Sequence, residues 1–388
     1  MKLSISASAF PFALIGLIGG CSSATISASG ARAAIQPFAP GPVAMAGVDG
    51  SFECFPEGAT FVEKTPEGAE AKKPYTCEPS AVYSLAEGSF FALNDKPLEL
   101  EGYSQHFEVS VKAGASRLAQ GRPSKDIQSV KKFEGVTVTS DGKWVVASAA
   151  FDRDKKGYNS LLSWPVGRSG ESREVNAPKG FGNLREWLAK AIGTAYFKIE
   201  GLAATPEKTL LFGVRETGKT FQDFDYGITV LEAPYEGDSK EGVRLTGELK
   251  TIFSKHYSWS PQGIAGAEIG ISSLEYDPHS GRVYALVSSE PKETATQKGA
   301  QKVDDFSSHL LVWKLEELRK GQEPRIALNA AGQPLDLAMK AEGLAVLPKG
   351  KLLVIFDNDR QTGVSQRYDG KVRDRKLHEG IYRFIEVL

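Results

Sequence analysis

Glu134-Gly-Val-Thr-Val138, followed after a short turn by Asp141-Gly-Lys-Trp-Val-Val-Ala147, is the stretch that decides the fold. It has an acidic opening, a short apolar run, a glycine-containing turn and a second apolar run, which is typical of two strands joined by a hairpin. The same phrase returns along the chain, with copies that begin at Glu78, Glu200, Ser272 and Glu342. A strand–turn–strand unit that recurs every several tens of residues predicts an all-β fold, a β-propeller.

The number of copies predicts five blades. Each copy continues into a third apolar run, such as Gly227-Ile-Thr-Val-Leu-Glu232 in the third copy. The last copy stops after its third strand, so we expect the segment around Phe52 to Lys64 to supply the missing strand and close the ring. A sixth, irregular blade between Phe38 and Tyr75 is the alternative.

One segment departs from the strand pattern. Residues 183–193 carry apolar side chains at 184, 187, 188, 191 and 192, with Gly193 as a stop signal, which predicts a short inserted helix. The sequence leaves open whether this helix packs on the blades or forms a lid over the channel.

The composition excludes some classes of partner. The chain has 388 residues with 47 Lys and Arg against 48 Asp and Glu, a net charge of −1. Because no basic surface is indicated, we expect no nucleic-acid partner.

The N-terminus has the features of an export signal. Lys2 precedes an apolar stretch from Phe10 to Gly20, and Leu17-Ile-Gly-Gly-Cys21 resembles a bacterial lipoprotein lipobox. This resemblance implies a signal peptide at 1–20 and lipidation of Cys21. The Ala-, Ser-, Gly- and Pro-rich composition that follows predicts a tether at 21–50, and the repeated copies predict a propeller body at 51–388. Ser22 gives no acidic retention signal, so we expect a membrane partner through the lipid anchor and a location in the cell envelope, at the outer membrane facing the periplasm or the exterior. An ordinary secretory signal is the alternative.

Two cysteines remain after Cys21. An even pair in an exported protein predicts a disulfide between Cys54 and Cys77. Two free buried thiols are the alternative.

The openings of the copies contain the candidate metal ligands. In a propeller the first strand of each blade lines the channel, so Glu78, Glu134, Glu200 and Glu342 should converge at one mouth, with Ser272 in the fourth copy. Converging carboxylates repel one another unless a positive charge lies between them, and Ca²⁺ prefers such oxygen ligands. The alternatives are hydrogen bonds from backbone amides and ion pairs with Lys or Arg.

A second set of polar residues follows the second strand of each copy. Arg215 has two open roles, as a clamp for a phosphate or carboxylate and as a partner that neutralises the glutamates. Solvated loop ends are the alternative for the set as a whole. The set comprises Asn94-Asp-Lys96, Asp152-Arg-Asp154, Arg215-Glu216, Ser289-Glu290 and Asp357-Asn-Asp-Arg360.

Two common signatures of hydrolytic enzymes are missing from the chain. It contains no Gly-x-Ser-x-Gly elbow and no His-Glu-x-x-His pair. Whether the protein is an enzyme is therefore left open by the sequence.

From Glu78 to the end, the chain resembles the bacterial domain of unknown function 3616 and, more distantly, the phytase-esterase-like propellers. The resemblance depends on the copy openings together with Phe212-Gly-Val-Arg215 and Asp357-Asn-Asp359. It implies an extracytoplasmic propeller in which Glu78, Glu134, Glu200 and Glu342 bind Ca²⁺ and Arg215 and Arg360 bind an anion; a departure is Ser272 in place of Glu. We expect a binding or scaffolding module for a small-molecule or protein ligand, with a calcium-dependent hydrolase of phosphate or carboxylate esters as the alternative.

Overall fold

The computed structural model describes residues 37–47, 49–64, 68–112, 115–118, 125–238, 241–259, 268–289, 307–357 and 376–388. Strands dominate, and the three α-helices in this part of the chain are short. None of the helices it describes has the length and apolar character needed to cross a membrane.

The strands form consecutive antiparallel groups, each beginning with a hairpin that coincides with one sequence copy. The bounds of the first two groups are β5 Pro79–Ala86, β6 Ser89–Asn94, β7 His106–Ser110 and β8 Ala115–Leu118, then, after α1 Lys125–Ser129, β9 Phe133–Val138, β10 Trp144–Ala149, β11 Leu161–Pro165 and β12 Arg173–Glu174. The third group has α2 Leu184–Ile192, β13 Tyr196–Ala204, β14 Thr209–Thr220, β15 Asp223–Asp238, β16 Gly242–Leu245 and β17 Lys250–Lys255. The last two have β18 Ile269–Asp277, β19 Arg282–Ser289, β20 Ser307–Lys314, α3 Leu315–Arg319 and β21 Arg325–Leu328, then β22 Ala341–Val346, β23 Leu352–Phe356 and β24 Glu379–Val387.

The first strands of the groups meet around a common axis. β5 contacts β9, β9 contacts β13, β13 contacts β18, β18 contacts β22, and β22 contacts β5 again. Hydrophobic clusters fill the spaces between consecutive groups, including one that joins Val82 and Phe90 of the first group to Leu353 and Ile355 of the last. This closed arrangement of radial sheets confirms the predicted β-propeller.

Closure of the ring uses the N-terminal segment, as the sequence predicts. β2 Gly50–Glu53 pairs antiparallel with β24, placing Phe52 opposite Gly380. The side chain that Gly380 lacks would occupy the space of the Phe52 ring, so glycine permits this close approach. The end of the segment predicted to supply this strand does not pair with β24. It forms β3 Thr60–Lys64, which pairs with β4 Glu70–Pro74 as a separate hairpin.

The predicted tether is too long at its C-terminal end. β1 Ala39–Ala46 pairs with β21 in parallel and with β24 antiparallel, so it belongs to the folded body. The physical reason lies next to it, where the buried ring of Phe38 packs on Tyr257 at 4.7 Å between ring centroids. Residues 1–36, with the signal peptide, the lipobox and most of the tether, lie outside the described residues.

The inserted helix and the disulfide are both present. α2 begins after Asn183, whose side chain accepts a hydrogen bond from the Glu186 amide at 2.9 Å, and ends at Gly193 with φ of 81°. Trp187 is buried against Phe212 of β14, so the helix packs on the third group. Cys54 and Cys77 form the predicted disulfide, which ties the end of β2 to the chain just before β5.

Candidate metal centre at the channel mouth

The four predicted glutamates lie at one end of the ring, at or near the start of the first strands. All four are buried, with 1–3% of their surface exposed. The structure does not gather them into one cluster. Ligand atoms of Glu134, Glu200 and Glu342 lie within 4.8 Å of one another, whereas Glu78 lies in a second cluster with Asp95 and Asp357 of the same tightness.

Lysines separate the carboxylates of the first cluster, which we call the glutamate cluster (Glu134, Glu200 and Glu342). The Lys198 ammonium contacts Glu200 and lies 3.2 Å from Glu134, so it bridges two neighbouring groups. Lys132 lies 3.2 Å from Glu134, and Lys340 lies 2.9 Å from Glu342. Ion pairing with lysine, one of the alternatives left open by the sequence, is therefore realised here.

These lysines have a signal in the sequence, although the predicted site did not include them. Each of the three glutamates stands in a Lys-x-Glu-Gly tetrapeptide, at 132–135, 198–201 and 340–343. Residues two apart on a strand point to the same face, and this directs Lys198 toward Glu200 on β13. Lys132 and Lys340 stand immediately before β9 and β22 and contact their glutamates across the same spacing. The first and fourth copies have Thr76 and Gly270 in place of this lysine.

The glycine of the tetrapeptide allows the first strands to approach one another. A Cβ atom at Gly201 would lie 2.7 Å from the Leu274 Cβ atom of β18. Any larger residue would push these two strands apart, and the charged side chains beside them would separate as well.

Arg215 takes the place of the missing lysine between the third and fourth groups. Its guanidinium is 2% exposed and donates hydrogen bonds to Glu200 at 3.1 Å, to Ser272 at 2.7 Å and to Ser288 at 2.9 Å. Gly270 makes room for it, since a Cβ atom there would lie 2.7 Å from Arg215 Cγ. These contacts correspond to the neutralising role that the sequence offered as an alternative to an anion clamp.

The second cluster, which we call the aspartate cluster (Glu78, Asp95 and Asp357), combines residues from both predicted sets. Asp95 and Asp357 follow the second strands of the first and last groups and are both buried rather than solvated. Lys96 contacts Asp95 and lies 3.3 Å from Glu78, and its side chain is 38% exposed. Asp95 Oδ1 is buried and has no hydrogen-bond partner among the residues that the structure describes.

Burial and the neighbouring lysines act in opposite directions on the carboxyls of both clusters. Burial opposes ionisation of Glu134, but Lys198 and Lys132 outweigh it and lower the pKa of this carboxyl to about 2. Burial raises the pKa of Asp95 despite the nearby Lys96, and the carboxylates of Glu134 and Glu78 act in the same direction as burial. Burial likewise raises the pKa of Glu342 in the glutamate cluster, although Lys340 lies 2.9 Å from its Oε1 atom, so an added cation would stabilise the ionised form of a carboxyl in either cluster.

Two predicted site residues, Cys21 and Arg360, lie outside the described residues. The same is true of Glu290, Asn358 and Asp359 in the second polar set.

No family model and no curated protein matches this chain. The resemblance to the domain of unknown function 3616 therefore stays a prediction.

The similar solved structures are distant. One is Pseudomonas fluorescens PhoX in complex with vanadate, 11% identical over 87% of this chain and 75% of that chain, with a TM-score of 0.37. A member of the DUF4221 family from Bacteroides vulgatus is 8% identical over 89% and 98% of the two chains, with a TM-score of 0.39. The RRP9 WD40 repeats are 11% identical over 81% and 96%, with a TM-score of 0.34. At these TM-scores the neighbours carry no argument about function.

Proposed function

We propose that the protein is a lipid-anchored, extracytoplasmic binding module whose aspartate cluster holds a hard divalent cation, Ca²⁺ first of all, at the channel mouth. The observation that carries the proposal is the buried Asp95 Oδ1, which has no hydrogen-bond partner within the described ranges and belongs to a group of three carboxylates within 4.8 Å of one another.

The chemistry of the donors favours a hard cation. Glu78, Asp95 and Asp357 offer only carboxylate oxygens, which are the ligands that Ca²⁺ prefers. Calcium takes about six to eight oxygen ligands, so a ligand molecule or water would complete its shell at the open mouth. A metal in this position would give the propeller a means to bind an anionic or oxygen-rich ligand.

The distribution of lysines favours the aspartate cluster over the glutamate cluster. Lys132, Lys198 and Arg215 are largely buried among the carboxylates that they neutralise, with side chains 2–18% exposed. Lys96 is more exposed, and its flexible side chain reaches solvent at little cost. A divalent ion would therefore displace Lys96 more readily than the lysines of the glutamate cluster.

Thermal melting tests the cation. The purified protein is melted after EDTA treatment and again with added Ca²⁺, and calorimetry measures the Kd. Specific binding at about a hundredfold excess over Kd should stabilise the fold by about 2.7 kcal/mol. Asp95→Asn should abolish the shift. Asp152→Asn is the matched control, because Asp152 follows the second strand of the next group and pairs with Lys132 at 3.5 Å. An unchanged melting temperature in the wild-type protein would remove the cation site.

Hydrolysis of phosphate or carboxylate esters is the second candidate. The observation in its favour is that ammonium groups and carboxylates alternate at one mouth, so a metal and a bound anion would find partners side by side. Turnover of p-nitrophenyl phosphate or p-nitrophenyl acetate that needs Ca²⁺ and is lost in Glu200→Gln would replace the binding module by an enzyme. The binding module is supported if neither the wild-type protein nor Glu200→Gln hydrolyses these esters and if Glu200→Gln binds Ca²⁺ as tightly as the wild-type protein.

The membrane anchor is tested separately. Cells that express the full chain are labelled with a radioactive fatty acid and fractionated. Label in the protein and its recovery with the outer membrane support acylation at Cys21, and Cys21→Ala should remove both. A soluble, unlabelled wild-type protein would contradict the anchor and leave the cation proposal untouched.

A further inference from the structure

A cavity of 580 Å³ lies between the first and last groups, at the end of the ring opposite the glutamates. The hairpin turns at residues 86–89 and 347–351 form two of its sides, and β24 forms another. Its walls include Phe90, Leu353 and Phe384. A mostly apolar cavity of this size is typical of small-molecule sites.

Leu347 distinguishes this turn from the equivalent turns of the second and third groups. The amides of Thr139, Thr205 and Leu347 donate equivalent hydrogen bonds across their turns, to Trp144, Thr209 and Lys351 at 2.7–2.9 Å. The two threonine hydroxyls also accept a hydrogen bond from an amide of the same turn, from Trp144 at 3.0 Å and from Thr209 at 3.4 Å. Leu347 has no hydroxyl that could accept this second hydrogen bond, and its side chain lines the cavity.

The charges at the rim balance one another. The lining contains two glutamates, Glu87 and Glu386, and two lysines, Lys349 and Lys351, and Lys351 pairs with Glu386 at 2.9 Å. A ligand with a net charge would therefore gain little from this rim, whereas an uncharged apolar ligand would bury its surface against the walls.

We infer that this cavity is a binding site for an uncharged, apolar small molecule. The site goes beyond the proposed cation function, because it is formed by other residues at the other end of the ring. Leu347 contributes to its apolar lining at the position where the equivalent turns have threonine.

Fluorescence of N-phenyl-1-naphthylamine, an uncharged apolar probe, tests the inference in detergent-free buffer. The wild-type protein should bind one probe molecule, with increased fluorescence and a higher melting temperature. Leu347→Thr introduces the residue that the equivalent turns have. It should weaken binding of the probe by about tenfold or more while the protein stays folded. Thr205→Leu is the reciprocal control, which should lower stability through the lost turn bond and leave probe binding unchanged.

A competition series tests the class of ligand. Decanol should displace the probe at lower concentration than decanoate or decylamine, because only the alcohol enters without a net charge. Displacement by either ion at equal or lower concentration would overturn the assignment to uncharged ligands. Failure of the folded wild-type protein to bind the probe, or unchanged binding in Leu347→Thr, would overturn the site itself. None of these outcomes depends on Ca²⁺.

Discussion

The Arg215 guanidinium donates a hydrogen bond of 2.7 Å to the hydroxyl of Ser272, across the boundary between the third and fourth groups. Ser272 is the one copy opening that is not glutamate, and the arginine reaches it from the middle of β14 rather than from the position after the strand that the sequence predicts. Arg215, which belongs to the third group, thus places a positive charge beside the first strand of the fourth group. That strand has no Lys-x-Glu sequence of its own.

Loss of Arg215 should be costly for stability. Arg215→Met leaves Glu200 buried with one cation fewer, and breaking a buried pair from one side costs about 3–5 kcal/mol. Urea unfolding measures the loss. The double variant Arg215→Met/Glu200→Gln should recover part of it, and Ser272→Ala alone should cost about 1 kcal/mol. If the double variant is no more stable than the single one, the pair is not the source of the effect.

Removal of Lys96 should strengthen metal binding. Lys96→Met deletes the ammonium that contacts Asp95 and lies 3.3 Å from Glu78, so Ca²⁺ no longer has to displace it. We expect the Kd for Ca²⁺ to fall by about tenfold, measured by calorimetry. Lys132→Met, next to the glutamate cluster, is the control and should change the Kd much less. Weaker Ca²⁺ binding in Lys96→Met would mean that the ion does not compete with this lysine.

The buried Glu275 should make the fold less stable in mild alkali. Burial raises the pKa of Glu275 to about 8, although its Oε1 atom accepts hydrogen bonds from Thr137 and the Tyr276 amide. Between the ordinary value of 4.5 and about 8 the folded protein therefore binds a proton that the unfolded chain lacks. Stability from this group is present below that window and is lost as the pH rises through it.

Glu275→Gln removes this dependence. Relative to the wild-type protein, the variant should gain stability between about pH 5 and about pH 9, at about 1.4 kcal/mol for each unit of pKa difference. Denaturant unfolding at the two pH values gives the comparison. A constant difference between the two proteins across this range would contradict a raised pKa at Glu275.

Reduction of the disulfide should loosen the closure of the ring. Cys54 and Cys77 are 23 residues apart, and a loop of this size contributes about 3 kcal/mol in the chain-entropy model. The Cys54→Ser/Cys77→Ser variant should lose about that amount in denaturant unfolding. Dithiothreitol should lower the stability of the wild-type protein and leave that of the variant unchanged.

Much of the fold follows from local patterns. Alternating apolar runs around glycine turns predict the hairpins, and the helix after Asn183 follows from its period and its terminal Gly193. The strand supplied by Gly50–Glu53 follows from a missing partner in the last copy. The beginning of the body is less evident, because Pro40 and Pro42 suggest a tether while Phe38 packs into the core.

The residue types at the channel mouth are a property of the sequence: glutamate at the copy openings, lysine two residues earlier in three of them, and acidic residues after the second strands. Only the tertiary structure decided which of these side chains meet. It places Glu78 beside Asp95 and Asp357, and it places the other three glutamates together, where lysines pair with them. It also brings Arg215 into contact with Ser272. The physical reason is that periodicity determines the face to which a side chain points on its own strand. Distances between side chains of different sheets depend instead on the packing and register of strands that are far apart in the chain.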